Sequence, residues 1–266
     1  MPTIEEESQF YHTVRSTIGD KPLIVRLLDV SMEKRVPYLP MRREENPQLG
    51  VRGVRYLLNH QELLEQQCGA IAAAADGREL GILIPFVSLP AETDQVIGII
   101  EEQLRRFKKK RSDVTIGIMV EIPSAALDIS AYLDRIDFVS IGTNDLIQYL
   151  FAASREEGSL DRYRPALHPL VLRLVHSMVL ACENAKKTLT VCGDMSSEPF
   201  SALLLAGLGV RTMSLQPQAI PPTDAWFRSA DLSTLRQIAQ KALLFSTADE
   251  VIELRKELME PDSQSG

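Results

Sequence analysis

The 266-residue chain carries 36 acidic against 29 basic residues, a formal net charge of -7, and its 45% hydrophobic residues can fill a sizeable core. The acidic balance argues against a nucleic-acid or polybasic membrane footprint, and no apolar run is long enough to span a bilayer. Cys68, Cys182 and Cys192 are widely spaced, with no CxxC pair or disulfide framework, as suits a reducing cytosol.

The N-terminus, MPTIEEESQFYHTV, is acidic and polar rather than a signal peptide. A soluble, cytoplasmic chain is therefore expected. The first strand-like run is PLIVRLL (22–28), followed by HQELLEQQCGAIAAAA (60–75), whose apolar spacing and alanine content read as a helix. GILIPFV (81–87) reads as a strand. ETDQVIGIIEEQLRRFKKK (92–110) starts acidic and ends basic, as the helix dipole favours. TIGIMVE (115–121) and IDFVSIG (136–142) are strands of the same unbroken kind.

HPLVLRLVHSMVLACENAKK (168–187) has a proline near its start and cations at its end, and reads as a helix. TLTVCG (188–193) is a strand, PFSALLLAGLG (199–209) a helix that stops at glycine, and RTMSL (211–215) the last strand. Residues 231–258 read as two amphipathic helices, and the tail EPDSQSG as frayed. The βα alternation implies a parallel sheet, open or closed as a barrel. One domain is expected over 1–230, with C-terminal helices over 231–266 packed on it.

Chemistry in such sheets sits at the carboxyl ends of the strands. Arg26 and Asp29, Glu121, Asn144 and Asp145, Cys192 and Ser214 fall at those ends. Two carboxylates suit Mg²⁺, which completes its shell with water and phosphate oxygens. Arginine forks meet phosphate bidentately, an amide can hold the same oxygens, and a thiol can move a proton. The residues thus point to Mg²⁺-assisted chemistry on a small phosphorylated acid. Plainer readings stand beside this one. Asp145 could cap the helix that follows, Glu121 could be a turn residue before Pro123, Cys192 could be a small core residue, and single arginines mostly sit in solvent.

DFVSIGTNDLIQYLFAASR (137–155) resembles the signature of the PEP-utilising enzymes, the family of phosphoenolpyruvate–protein phosphotransferase (enzyme I), pyruvate phosphate dikinase and phosphoenolpyruvate synthase. EENPQLGVRGVR (44–55), GIMVEIPSAA (117–126), VCGDMSSEP (191–199) and IVRLLDV (24–30) resemble further motifs of it. The resemblance implies a (β/α)₈ TIM barrel with Mg²⁺ held by Glu121 and Asp145. Arg26, Arg52, Asn144 and Arg155 would grip phosphoenolpyruvate, and Cys192 would protonate the enolpyruvate carbon. The phosphoryl group would pass to a histidine on a phosphohistidine domain or phosphocarrier protein, with transfer resting on positioning and charge neutralisation. A homodimer is implied as well.

LHPLVLRLV and IPP look more like the protein phosphotransferase branch, particularly its nitrogen-regulatory form, and AASREEG more like the dikinase. The family barrel begins with two strands that have no counterpart here, so about six of eight are expected. His12, His60, His168 and His176 match no phosphohistidine motif. RLLDVSMEK keeps Arg26, Asp29 and Lys34 but carries Ser31 and Met32 where the family has glycines. Ser154 and Glu157 replace an Asp and an Asn around Arg155. The first alternative is therefore a non-catalytic remnant acting in dimerisation or regulation. A second is a dikinase- or synthase-like fragment. A Mg²⁺-dependent lyase or aldolase on a related barrel would lack GTNDLIQY.

Overall fold

The computed structural model describes residues 2–30, 39 and 43–259. Ser31, Met32, Lys34 and the EPDSQSG tail lie outside the described residues. Six strands follow one another in chain order across the sheet. The chain divides into two compact units, Met1–Val120 with Ala131–Phe138, and Glu121–Ser130 with Val139–Gly266.

The first unit opens with helix α1 (Ile4–Ile18), which the sequence reading left out. Its signal was present: Thr3 and Glu6 form a reciprocal capping box, with Thr3 Oγ1 accepting from Glu6 N at 3.1 Å and Glu6 Oε2 from Thr3 N at 2.8 Å. Strand β1 (Leu23–Arg26) follows, then α2 (Val54–Asn59), α3 (Gln61–Ala74), β2 (Leu80–Ile84), α4 (Pro90–Arg106) and β3 (Thr115–Val120). β1 pairs parallel with β2, Leu23 opposite Leu80, and β2 with β3, Gly81 opposite Thr115. α4 begins on Pro90, and Glu92 folds back to accept the N–H groups of Ser88 (2.7 Å) and Leu89 (2.8 Å). β2 is buried throughout and β3 at all but its first residue, so their unbroken apolar runs were read correctly. β1 is largely exposed, Ile24 included, because it is the end strand. Side chains such as Ile71, Ile82, Ile100 and Ile116, all nearly inaccessible, form the core, each contributing about 1.5–3 kcal/mol by burial.

The second unit holds α5 (Pro123–Leu127), β4 (Phe138–Gly142) beyond its first residue, α6 (Thr143–Phe151), α7 (Pro169–Asn184), β5 (Thr188–Cys192), α8 (Asp194–Ser197), α9 (Pro199–Gly207), β6 (Thr212–Ser214), α10 (Ile220–Ser229), α11 (Leu232–Leu244) and α12 (Ala248–Met259). β5 pairs parallel with β6, Thr190 opposite Thr212. α9 is apolar and buried on every side, and Leu203 and Ala206 on it pack against Leu235 of α11. His168 caps α7, its Nδ1 accepting from Leu170 N at 3.1 Å. Among the described residues, no helix is long and apolar enough to cross a membrane.

The six strand expectations are all met, and the order matches consecutive strands of a (β/α)₈ barrel.

Candidate active site

In the first unit the candidate side chains gather at and after the end of β1. Arg52 is nearly inaccessible, at 4% exposure. It holds Asp29 with both arms of its fork: Nη2 to Oδ2 at 2.9 Å and Nε to Oδ1 at 3.3 Å. Its Nη1 donates to Gln48 Oε1 at 2.9 Å. The guanidinium carbon lies 4.3 Å from the centre of the Phe86 ring, a cation–π contact. Phe86 itself has φ +59°, a conformation that the surrounding structure must impose on an aromatic residue. The packing depends on Gly53 (φ +53°), where a Cβ would overlap Phe86 and come within 3.2 Å of Asp29 Oδ1. Arg26 stands at the end of β1 with its side chain half in solvent, Nη1 4.0 Å from Asp29 Oδ2 and 3.8 Å from Met119 Sδ. Arg26, Asp29 and Arg52 are therefore one cluster, two guanidiniums around one carboxylate.

In the second unit the strand ends carry Glu121 (2% exposed) and Asp145 (7% exposed). A buried ionised carboxylate is costly unless a cation or hydrogen-bond donors accompany it. Arg155 Nη1 lies 3.8 Å from Asp145 Oδ1, an attraction of about 4 kcal/mol at an effective dielectric near 20, before desolvation. Asp145 is not the cap of α6: the helix starts at Thr143, with Gly142 in the capping position and no side-chain cap. The carboxylate thus sits inside the first turn, where the helix dipole favours a negative charge.

The loop after β5 is tied to that turn. Thr143 Oγ1 donates to the Cys192 carbonyl at 2.8 Å, and Asn144 Oδ1 accepts from Asp194 N at 3.0 Å. Gly193 between them has φ +99°, and a Cβ there would overlap Thr143 Oγ1 and sit 2.8 Å from Asn144 Oδ1. Cys192 Sγ is 3.3 Å from the Ile141 carbonyl and half-buried, whereas Cys68 and Cys182 are buried. Asn144 and Cys192 are therefore brought together, as are Asp145 and Arg155.

Glu121 follows the end of β3, deeply buried rather than an exposed turn residue, and a carboxylate such as it or Asp145 is the hard oxygen donor type that Mg²⁺ prefers. Among the described residues, no group of three or more His, Cys, Asp or Glu side chains gathers as a metal cage.

Two polar residues were overlooked as site components. Gln48 braces Arg52, and Gln148 accepts from Arg155 N at 3.0 Å through its side-chain oxygen. The available signal for Gln148 was a lone amide inside the apolar run LIQYLF.

A protein family described as "PEP-utilising enzyme, PEP-binding domain" matches residues 1–232. The chain belongs to that family. It is 40% identical over 252 residues to a "Multiphosphoryl transfer protein" of Xanthomonas campestris pv. campestris, covering 94% of this chain and 30% of that protein. It is 33% identical to the "Phosphoenolpyruvate-protein phosphotransferase" of Staphylococcus carnosus, covering 97% of this chain and 46% of that one. The chain thus spans less than half the length of these relatives. The match bears out the resemblance seen in the motifs and brings in multiphosphoryl transfer proteins, which the motifs did not single out. A solved citrate lyase from Burkholderia xenovorans LB400 aligns with a TM-score of 0.50 at 15% identity, over 95% of this chain and 78% of its own, a likeness of fold.

Proposed function

We propose that the chain is the phosphoenolpyruvate-binding catalytic part of a phosphoenolpyruvate–protein phosphotransferase. The observation that carries this reading is the bonded pair of turns at 143–145 and 192–194, with the buried Asp145 and its Arg155 partner. Arg155 binds an anionic group of phosphoenolpyruvate, and Asn144 holds an oxygen of the same ligand. Glu121 and Asp145 would hold Mg²⁺, which neutralises charge on phosphate and enolate oxygens when bound. The P–O bond of phosphoenolpyruvate breaks and a P–N bond forms to a histidine of a phosphohistidine-bearing domain or phosphocarrier protein. The enolate left behind takes a proton at its methylene carbon from the Cys192 thiol, giving pyruvate. Residues 1–230 serve as the ligand-binding domain, 231–259 as a helical extension of it, and the protein acts as a cytoplasmic homodimer.

Calorimetric titration of the full chain with phosphoenolpyruvate in Mg²⁺ tests the reading. A saturable signal that Asp145→Asn and Arg155→Ala each weaken, and that chelation of Mg²⁺ diminishes, is expected. No heat at millimolar ligand overturns it.

A further inference from the structure

The exit from α6 to Arg155 is unusually fixed. The helix ends at Phe151, and Ala152 takes the left-handed conformation, φ 51° and ψ 37°. Its N–H is donated to the Gln148 carbonyl, and Ala153 N–H goes to the same carbonyl at 3.1 Å. The Gln148 side-chain oxygen then accepts from Arg155 N at 3.0 Å. One buried residue, 5% exposed, thereby directs the backbone of 152, 153 and 155. From the other side, Arg164 Nη2 donates to the Arg155 carbonyl at 3.3 Å and is anchored by the Asp161 carboxylate. Arg164 Nε is buried and has no hydrogen-bond partner among the described residues.

We infer that Gln148 and Arg164 are positioning residues for Arg155. Gln148 holds its peptide N–H and Arg164 its carbonyl, so the Arg155 guanidinium is presented toward Asp145, 3.8 Å away, before any ligand arrives. Neither residue touches the ligand. The inference rests on the reading of Arg155 as a phosphoenolpyruvate contact. A pre-set guanidinium spares the ligand the work of ordering a long side chain, and small misplacements of such groups lower affinity or rate by large factors.

The test uses Gln148→Met, which keeps size but removes the acceptor, and Arg164→Met, with Arg164→Lys as the conservative rescue. Phosphoenolpyruvate affinity with Mg²⁺ is measured by calorimetry on the full chain, alone and in an Arg155→Ala background. Each Met variant should weaken binding on the order of tenfold, Arg164→Lys should restore part of it, and in the Arg155→Ala background Gln148→Met should change nothing further. Equal losses with and without Arg155 overturn the inference, as does unchanged binding in both Met variants. Amide hydrogen exchange at Arg155 is the readout that needs no ligand. It should be slow in the parent chain and accelerate in Gln148→Met. If the parent chain binds no phosphoenolpyruvate, the proposed function fails, and unchanged exchange at Arg155 separately overturns the positioning role.

Discussion

Thr143 Oγ1 donates to the Cys192 carbonyl across 2.8 Å, bonding the first turn of α6 to the end of β5. The two residues are 49 positions apart in sequence, so this bond fixes where a thiol stands relative to the Asn144–Asp145 pair. The close fit at Gly193 makes the contact sensitive. Gly193→Ala forces a side chain into a φ of +99° and against Thr143. It should destabilise the chain by about 3 kcal/mol, read as a lower urea midpoint, and should impair phosphoenolpyruvate binding beyond what Thr143→Ser does.

The Arg52–Asp29 pair should behave as a buried ion pair. Both side chains are under a tenth exposed. Asp29→Asn leaves a desolvated guanidinium without its counter-charge and should cost about 3–5 kcal/mol of stability. Arg52→Lys keeps the charge but loses the fork and the stacking on Phe86. Chemical denaturation of the three proteins checks this, with both variants expected to unfold at lower denaturant than the parent.

The thiols should separate by reactivity. Burial pushes the Cys182 thiol up to about 11 and raises Cys68 further. At about pH 8 both stay protonated and covered, and thiolate is the reactive form. A disulfide reagent should therefore label Cys192 first in the native chain, and Cys68 and Cys182 only on unfolding. Peptide mapping by mass spectrometry identifies the site, and early label on Cys182 would contradict the prediction.

Acid should weaken a specific anchor in the first unit. Asp76 accepts from Arg78 Nη2 at 2.5 Å and from the buried Arg15 Nη2 at 2.6 Å. The hydrogen bond from the Arg78 side chain, opposed by burial and reinforced by Arg78 N–H and both guanidinium charges, holds its carboxyl well below the usual carboxylate range. A lowered folded-state value means the stabilisation is present above the unfolded value, about 3.9, and is lost as pH falls through the folded one. Asp76→Asn should cost about 3 kcal/mol near neutrality. The gap between parent and variant should hold down to about pH 4 and close below it, as followed by thermal melts.

Much of the fold was legible because its strands announce themselves. The runs at 81–87 and 115–121 are apolar without a break, and the structure buries them. β1, Leu-Ile-Val-Arg, carries similar residues yet lies largely exposed, since burial at a sheet's end depends on what lies beside it rather than on local composition, whereas β6, Thr-Met-Ser, is as exposed as its polar residues suggest. α1 was missed because its glutamates were read as polarity, while the Thr3–Glu6 cap is a pairing that only spacing reveals. For the site, residue type and strand-end position singled out Asn144, Asp145 and Cys192. The roles of Gln48 and Gln148 depend on hydrogen bonds closed by backbone geometry, which no single position in the sequence encodes.

Phe138 raises a question of a different kind. Its ring occupies the space that a Cβ on Gly117 would need, and also lies 3.4 Å from where one on Gly81 would fall. The ring is accommodated because Gly117 has no side chain, while at Gly81 it would meet an added methyl only at ordinary contact distance. Positions 117 and 138 should then change together through evolution, a methyl gained at Gly117 being tolerated only where the residue at 138 has shrunk.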